Sequence, residues 1–201
     1  MPSRRDFVRQ VGGAAVAAAL PIREVHAIDR WKPADAIKFG YAAITWEGND
    51  QQAIEDISAL GFPGIQLRAN VLARFGSRPA ELRDLLARHR LTFVALSSGN
   101  VRIDPAARVQ MLEEHASHAR FLRDAGGLYL QLIDERPRGR ALKPADYQRL
   151  GGLLTDIGQR TADLGIPVAY HHHMGSMGQT PEGLERVLDA SDPRYVRLLL
   201  D

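Results

Sequence analysis

The chain has 201 residues, 45% of them apolar and 25% charged, with 26 basic against 24 acidic side chains. That composition belongs to an ordinary globular protein and excludes disordered, collagen-like and disulfide-stapled classes. Cysteine is absent, so thiolate chemistry is excluded and any metal is left to nitrogen and oxygen ligands.

The chain opens on Ser3-Arg4-Arg5-Asp6-Phe7-Val8-Arg9, followed by Gly, Ala, Val and Leu from Val11 to Leu20 and then by Val25-His26-Ala27. A positive start, a short apolar middle and an A-x-A-like end make a secretory signal peptide. The paired arginines resemble the twin-arginine pattern S-R-R-x-F-L-K, which implies the twin-arginine export machinery as a partner and a periplasmic or otherwise exported protein. Gly12-Gly13 and the lack of a polar face speak against an amphipathic helix in its place. The apolar run Val11–Ile22 is about half of the roughly 20 residues a bilayer span needs, so no stable membrane span is expected after signal removal. Cleavage after Ala27 makes residues 1–27 the signal and 28–36 a linker. It leaves 22 basic and 22 acidic groups, because arginines 4, 5, 9 and 23 depart with Asp6 and Glu24. The mature chain is formally neutral, and the electrostatic case for a nucleic-acid partner goes with the signal.

From there strand and helix alternate. Ile37–Ala43 reads as a strand, followed by a helix with Ala53, Ile54, Ile57 and Leu60 at helical spacing. Gly61-Phe62-Pro63-Gly64 breaks it, and Ile65-Gln66-Leu67 is the second strand. Pro79 opens a helix carrying Leu82, Leu85 and Leu86 and ending in a basic Arg88-His89-Arg90 turn, as the helix dipole favours. Leu91–Leu96 is the third strand. Asp104-Pro105 starts a long helix to Asp124 with Val109, Leu112, Ala116, Ala119 and Leu122 inward. Gly126-Gly127 stops it before the fourth strand, Leu128–Ile133, and a helix from Pro144 to Leu164. Val168–His171 is the fifth strand, Thr180-Pro181 caps a helix through Leu188, and Tyr195–Leu200 is the sixth strand.

Strands separated by helices of ten to twenty residues indicate βαβ units in a parallel sheet, within one domain. A doubly wound open sheet and a (β/α)8 barrel both satisfy this. The dinucleotide-binding version of the open sheet calls for G-x-G-x-x-G after the first strand, where Ala43-Ile44-Thr45-Trp46-Glu47-Gly48 stands instead.

Chemistry in parallel α/β folds sits at the carboxyl ends of the strands. Those ends read Thr45-Trp46-Glu47, Gln66-Leu67-Arg68-Ala69-Asn70, Ser97-Ser98-Gly99-Asn100, Gln131-Leu132-Ile133-Asp134-Glu135-Arg136, His171-His172-His173-Met174-Gly175 and Asp201. Each is polar or ionisable while the strand bodies are apolar. Strand alternation puts Ala169, His171 and His173 on one face and Tyr170 with His172 on the other. Two imidazoles near Asp134, Glu135 and Asp201 would suit Mn²⁺, Co²⁺, Fe²⁺ or Zn²⁺ rather than Ca²⁺; a polar turn with solvated histidines is the plain alternative. Trp46, beside Glu47 at a strand end, suits a sugar ring face or the core. Asp134-Glu135-Arg136 could also be a solvated loop with internal ion pairs. His115 and His118, three apart on the long helix, have a spacing that could chelate a metal, but on the outer layer of such a fold they are expected at the surface.

Tyr170–Gly175, Gln179–Leu188 and Leu198–Asp201 together resemble the sugar phosphate isomerase/epimerase family, a xylose isomerase-like TIM-barrel group, in its inosose dehydratase-like branch. Phe39-Gly40-Tyr41, Trp46 and Gly61–Leu67 resemble that family's first βαβ unit. The resemblance covers residues 37–201 and implies a (β/α)8 TIM barrel cut off after its sixth strand. It also implies a divalent metal at the barrel mouth, Mn²⁺ or Co²⁺ first, with Zn²⁺ or Fe²⁺ as alternatives. Asp201 matches the family's L-D-T-G-H aspartate ligand. His171 stands where many relatives have a metal-binding Glu, so the carboxylate count departs from the pattern. His171, Asp201 and Glu135 are the implied ligands, with Glu135 and His173 as acid/base candidates and Trp46, Glu47 and Gln131 as substrate contacts. The implied reaction is proton abstraction next to a carbonyl with stabilisation of an enediolate, the step shared by isomerisation, epimerisation and β-elimination of water. Export disfavours a phosphorylated cytoplasmic substrate and favours a free sugar, keto-sugar or cyclitol.

A complete barrel needs about 250 residues, and signal removal leaves 174. Six strands are therefore expected to leave bare edges, bind metal poorly and aggregate, unless they form a six-stranded open sheet in their own right. An exported, non-catalytic carbohydrate-binding or interaction module on the same face is the alternative function. A metal-dependent nuclease-like barrel is opposed by export and by the neutral mature charge.

Overall fold

The computed structural model describes residues 39–200, so the expected signal peptide, the linker, the start of the first strand and Asp201 lie outside the described residues. Within them the elements run β1 (Gly40–Ala42), α1 (Asp50–Ala59), β2 (Gly64–Arg68), a short α2 (Leu72–Phe75), α3 (Pro79–Arg88), β3 (Thr92–Val101), α4 (Arg108–Asp124), β4 (Tyr129–Asp134), α5 (Pro144–Ala162), β5 (Val168–His171), α6 (Pro181–Asp189) and β6 (Val196–Leu199). The order of strands in the sheet decides between the two architectures. It is β1-β2-β3-β4-β5-β6, every pair parallel and without reversal. A doubly wound sheet reverses its order at a switch point, whereas a barrel adds each strand beside the last. No helix among the described residues is long and apolar enough to cross a membrane.

Alternation along the strands separates two layers. Leu67, Leu96, Leu130, Leu132, Val168 and Tyr170 are buried in the hydrophobic core together with Ile54 and Ile57 of α1, Leu82 and Leu86 of α3, Leu122 of α4 and Leu154 and Ile157 of α5. Each such side chain contributes roughly 1.5–3 kcal/mol relative to exposure. The helix ends repeat one device. After α4, Gly127 N–H reaches Leu122 C=O at 2.8 Å and Gly126 N–H reaches Arg123 C=O at 3.0 Å, with Gly126 at φ 77°. After α5, Ile166 and Gly165 close onto Thr161 and Ala162 in the same way. This closure satisfies orphan carbonyls and needs a left-handed residue, which glycine supplies without strain. After α3 the same position is Arg90, at φ 56°.

The structure differs from expectation at several places. β1 ends at Ala42, and the chain tightens into a 3-10 turn, Ala43–Trp46, closed by Glu47 in a left-handed conformation. β3 runs on through Ser97–Asn100 to Val101, because Gly99 at φ 99° absorbs a register shift: Ser97 pairs with Gln131, and Asn100 with Ile133. Leu60 and Val109 face solvent, Leu60 because it lies past the end of α1 and Val109 because it falls in the first turn of α4, off the inner face.

His115 and His118 are not surface groups. Met111, His115 and Ala119 form one stripe of α4 against β3, and His115 is fully buried. Ser98, which alternation turns toward α4, meets Nδ1 of His115 at 2.7 Å and Nδ1 of His118 at 2.8 Å. Burial, with His118 alongside, holds His115 down to about 4, and burial also lowers His118. A histidine whose folded value lies below its unfolded value of about 6.5 releases its proton on folding. Its contribution is complete above pH 6.5 and is lost as pH falls toward 4. Urea unfolding at pH 7 and pH 4.5 is expected to show about 3 kcal/mol lost through this cluster. His115→Gln, which does not titrate, is expected to flatten that dependence.

Candidate active site at the carboxyl ends of the strands

A cavity of about 970 Å³ opens at the carboxyl ends of the strands, and all six reach it, through Ala42, Gln66, Ser97, Gln131, His171 and Leu199. In its lining Nε2 of Gln66 donates to Oε1 of the buried Gln131 at 2.5 Å, which fixes both amides across β3. His171 and His173 both line the cavity, with ring centroids 5.5 Å apart. Nδ1 of His173 lies 2.9 Å from the Met174 carbonyl oxygen. A carbonyl only accepts, so Nδ1 carries a proton, and in the neutral imidazole the lone pair is then on Nε2.

β4 supplies two adjacent carboxylates that behave differently. Asp134 is buried, with Oδ1 accepting from the Tyr170 hydroxyl at 2.5 Å and Oδ2 from Met177 N–H at 2.7 Å. Burial holds its pKa above the ordinary carboxylate value, and these hydrogen bonds offset only part of that rise. Burial and the neighbouring carboxylate push the Tyr170 phenol well above its ordinary value, so it stays a donor. Asp134 is thereby committed to anchoring the loop that carries His173. Glu135 is half-buried in the cavity lining, its backbone N–H on Val101 C=O at 3.0 Å and its carboxylate 3.6 Å from Nη2 of Arg138. It is the carboxylate with oxygens available for chemistry.

The structure thus brings Gln131, Glu135, His171 and His173 into one lining. Glu47 lies in an adjoining hollow of about 280 Å³ with Arg68, Asn70 and Asn100. Trp46 is in neither: the 3-10 turn carries it back over α1, where Nε1 donates to Asp56 at 2.7 Å and the ring meets Tyr41 edge-on. Asp201 is outside the described residues. Gln66, Arg68 and Arg136 stand among the strand ends without an assigned role, Arg136 being expected in a solvated loop with internal ion pairs, whereas among the described residues it makes none; Arg138 and Arg140 were not singled out from sequence. Nothing in the sequence marks Tyr170, which reads as core.

Among the described residues no three histidine or carboxylate side chains gather at one point. The donors present, two neighbouring imidazoles with no sulfur, suit a borderline divalent cation. Two imidazoles do not by themselves complete a ligand set.

No family model matches the chain. In sequence it is 26% identical over 189 residues to an inosose dehydratase of Bacillus velezensis, a match covering 82% of this chain and 60% of that protein. In structure it superimposes on the IOLI protein with a bound zinc atom at a TM-score of 0.70 and 16% identity, over 81% of this chain and 62% of that one. The D-psicose 3-epimerase of Clostridium cellulolyticum H10 gives a TM-score of 0.66 and 14% identity, over 82% and 63% of the two chains. The fold is that of the xylose isomerase-like TIM barrels. The strand order, the helix layer and the position of the cavity are all features of that barrel. The chain spans about 60% of the length of the inosose dehydratases it matches.

Proposed function

We propose that the protein is an exported, metal-assisted isomerase, epimerase or dehydratase of a sugar, keto-sugar or cyclitol, delivered by the twin-arginine route. The observation that carries this reading is the convergence of His171, His173 and Glu135 in one cavity at the strand ends. The sequence similarity to inosose dehydratases supports it. His171 and Asp201 would hold the cation, Mn²⁺ or Co²⁺ before Zn²⁺ or Fe²⁺. When bound, the metal supplies a Lewis acid for the oxygens that become negative as the α-carbon loses its proton.

The remaining work falls to this chain's side chains. Gln66 and Gln131, locked to each other, present fixed amide edges to substrate hydroxyls. His173, with its proton held at Nδ1 by the Met174 carbonyl, takes a proton at Nε2. Glu135, entering the step in its protonated form, gives its own proton to carbon for isomerisation or epimerisation, or to a departing hydroxyl for water loss, while His173 keeps the abstracted one and solvent resets both. Two groups in the loops after different strands allow proton delivery from a direction other than that of removal.

The test is conversion of ketoses and keto-cyclitols by the protein supplied with Mn²⁺ or Co²⁺, followed by NMR. Product that forms with metal and stops on chelation is expected. Saturable sugar binding with no conversion under any of these metals would overturn the enzymatic reading in favour of a binding module.

A further inference from the structure

Beside the mouth lies a second hollow of about 490 Å³ that shares Glu135, Arg136, Arg138 and Arg140 with it. Five guanidiniums line this hollow: Arg102 from the end of β3, Arg136, Arg138 and Arg140 from the loop after β4, and Arg149 from α5. Two of them are held from beneath. Asp146, almost wholly buried, accepts from Nη1 and Nη2 of Arg140 at 2.6 and 2.9 Å and from Arg149 Nη1 at 3.5 Å. It also accepts from the Lys143 N–H at 2.8 Å, which ties it to the start of α5. A planar guanidinium fixed along one edge keeps its other N–H groups for a ligand.

The charges do not cancel. Against the five arginines stand Asp146, Asp104, whose Oδ1 is spent on capping Ala106 N–H, and Glu135 beside Arg138. An excess of two positive charges is left, on side chains that are exposed along the shared rim. Arg136 has no carboxylate within ion-pair distance among the described residues.

We propose that this hollow is an oxyanion subsite that receives a phosphate or carboxylate group carried by the molecule in the mouth cavity. Convergent arginines, two of them oriented by a buried carboxylate, match the fork geometry that recognises such groups. The hollow opens at Glu135, so an anion seated there leaves the rest of a sugar-sized ligand in the catalytic cavity. The inference rests on the sugar reading only for the identity of that remainder. The favoured substrate class then narrows to sugars or cyclitols that carry an anionic group, a carboxylate ahead of a phosphate because export disfavours a phosphorylated substrate.

Calorimetric titration of the protein with inorganic phosphate, glucose 6-phosphate, glucuronate and glucose at low salt tests this without turnover, so it stands or fails apart from catalysis. Phosphate is expected to bind, and one of the two charged sugars to bind at least roughly tenfold tighter than glucose, the better of them naming the anion. Arg136→Gln with Arg138→Gln, both on exposed side chains, is expected to weaken the charged ligands roughly tenfold per guanidinium and leave glucose unchanged. Equal affinity for glucose and both charged sugars, or unchanged affinity in the double variant, would overturn it. So would a short DNA duplex that binds tighter than either charged sugar, which would make the arginines a polyanion surface.

Discussion

Asp134→Ala is expected to cost about 3–5 kcal/mol of stability and to abolish most activity in whatever protein still folds. The carboxylate sits at the end of β4, buried, with one oxygen on the Tyr170 hydroxyl and the other on Met177 N–H. Removing it strands a buried phenol and a buried amide, each a penalty of about 1–3 kcal/mol. Relief of the burial that raises Asp134's own pKa offsets part of this, which keeps the figure below the upper sum. The catalytic effect follows from position. Met177 belongs to the same loop as His173, whose backbone N–H bonds the Ser176 hydroxyl at 3.2 Å. Without the Asp134 anchor that loop loses its fixed seat against the sheet. Tyr170→Phe removes one of the two bonds and is expected to cost about 1–2 kcal/mol, with strong coupling in the double variant. Urea unfolding of the four proteins measures this; an Asp134→Ala loss under 1 kcal/mol would show that the loop is held by other contacts.

Glu135→Gln is the counterpart, with a large effect on rate and a small one on stability. The side chain is half-exposed and its ion partner Arg138 is almost fully exposed at 3.6 Å, a pair worth less than about 1 kcal/mol. Proton transfer by a positioned carboxylate is worth roughly 10²–10⁴-fold, and an amide of the same shape cannot take up or deliver that proton. Turnover is expected to fall by that factor while substrate affinity and the unfolding midpoint stay close to wild type. A loss below about threefold would assign the carboxylate to the solvated ion pair alone.

The strand and helix positions were legible because the chain punctuates itself. Pro79, Pro144 and Pro181 each stand at a helix start, and glycines 61, 126 and 165 take the left-handed turn at three helix ends. Alternation along β5 separates His171 from Tyr170, while His173 lies past the end of the strand, in the loop after it. The βαβ repetition alone is equally compatible with a sheet that reverses, so the order of strands came from the resemblance to the barrel family, and the structure has that order. The sequence pattern ends the third strand at Leu96, and only the pairing of Ser97 and Asn100 with β4 reveals the bulge at Gly99 that carries β3 onward. His115 is expected at the surface because the helices form the outer layer, but its phase puts it on the inner stripe of α4 with Met111 and Ala119, and its polar partner Ser98 is 17 residues away on another element. The Tyr170–Asp134 bond, across 36 residues, has no local signature at all. Trp46 left the site because a tight turn, rather than a longer strand, follows Ala42.

Incubation of a ketose or keto-cyclitol in D₂O with the metal-supplied protein tests the central claim most directly. If His173 and Glu135 move a proton next to a carbonyl, deuterium enters at that carbon, whichever product is released, and Glu135→Gln slows the wash-in. A ligand that occupies the cavity and perturbs the His171 and His173 resonances, yet gains no deuterium, would contradict the account.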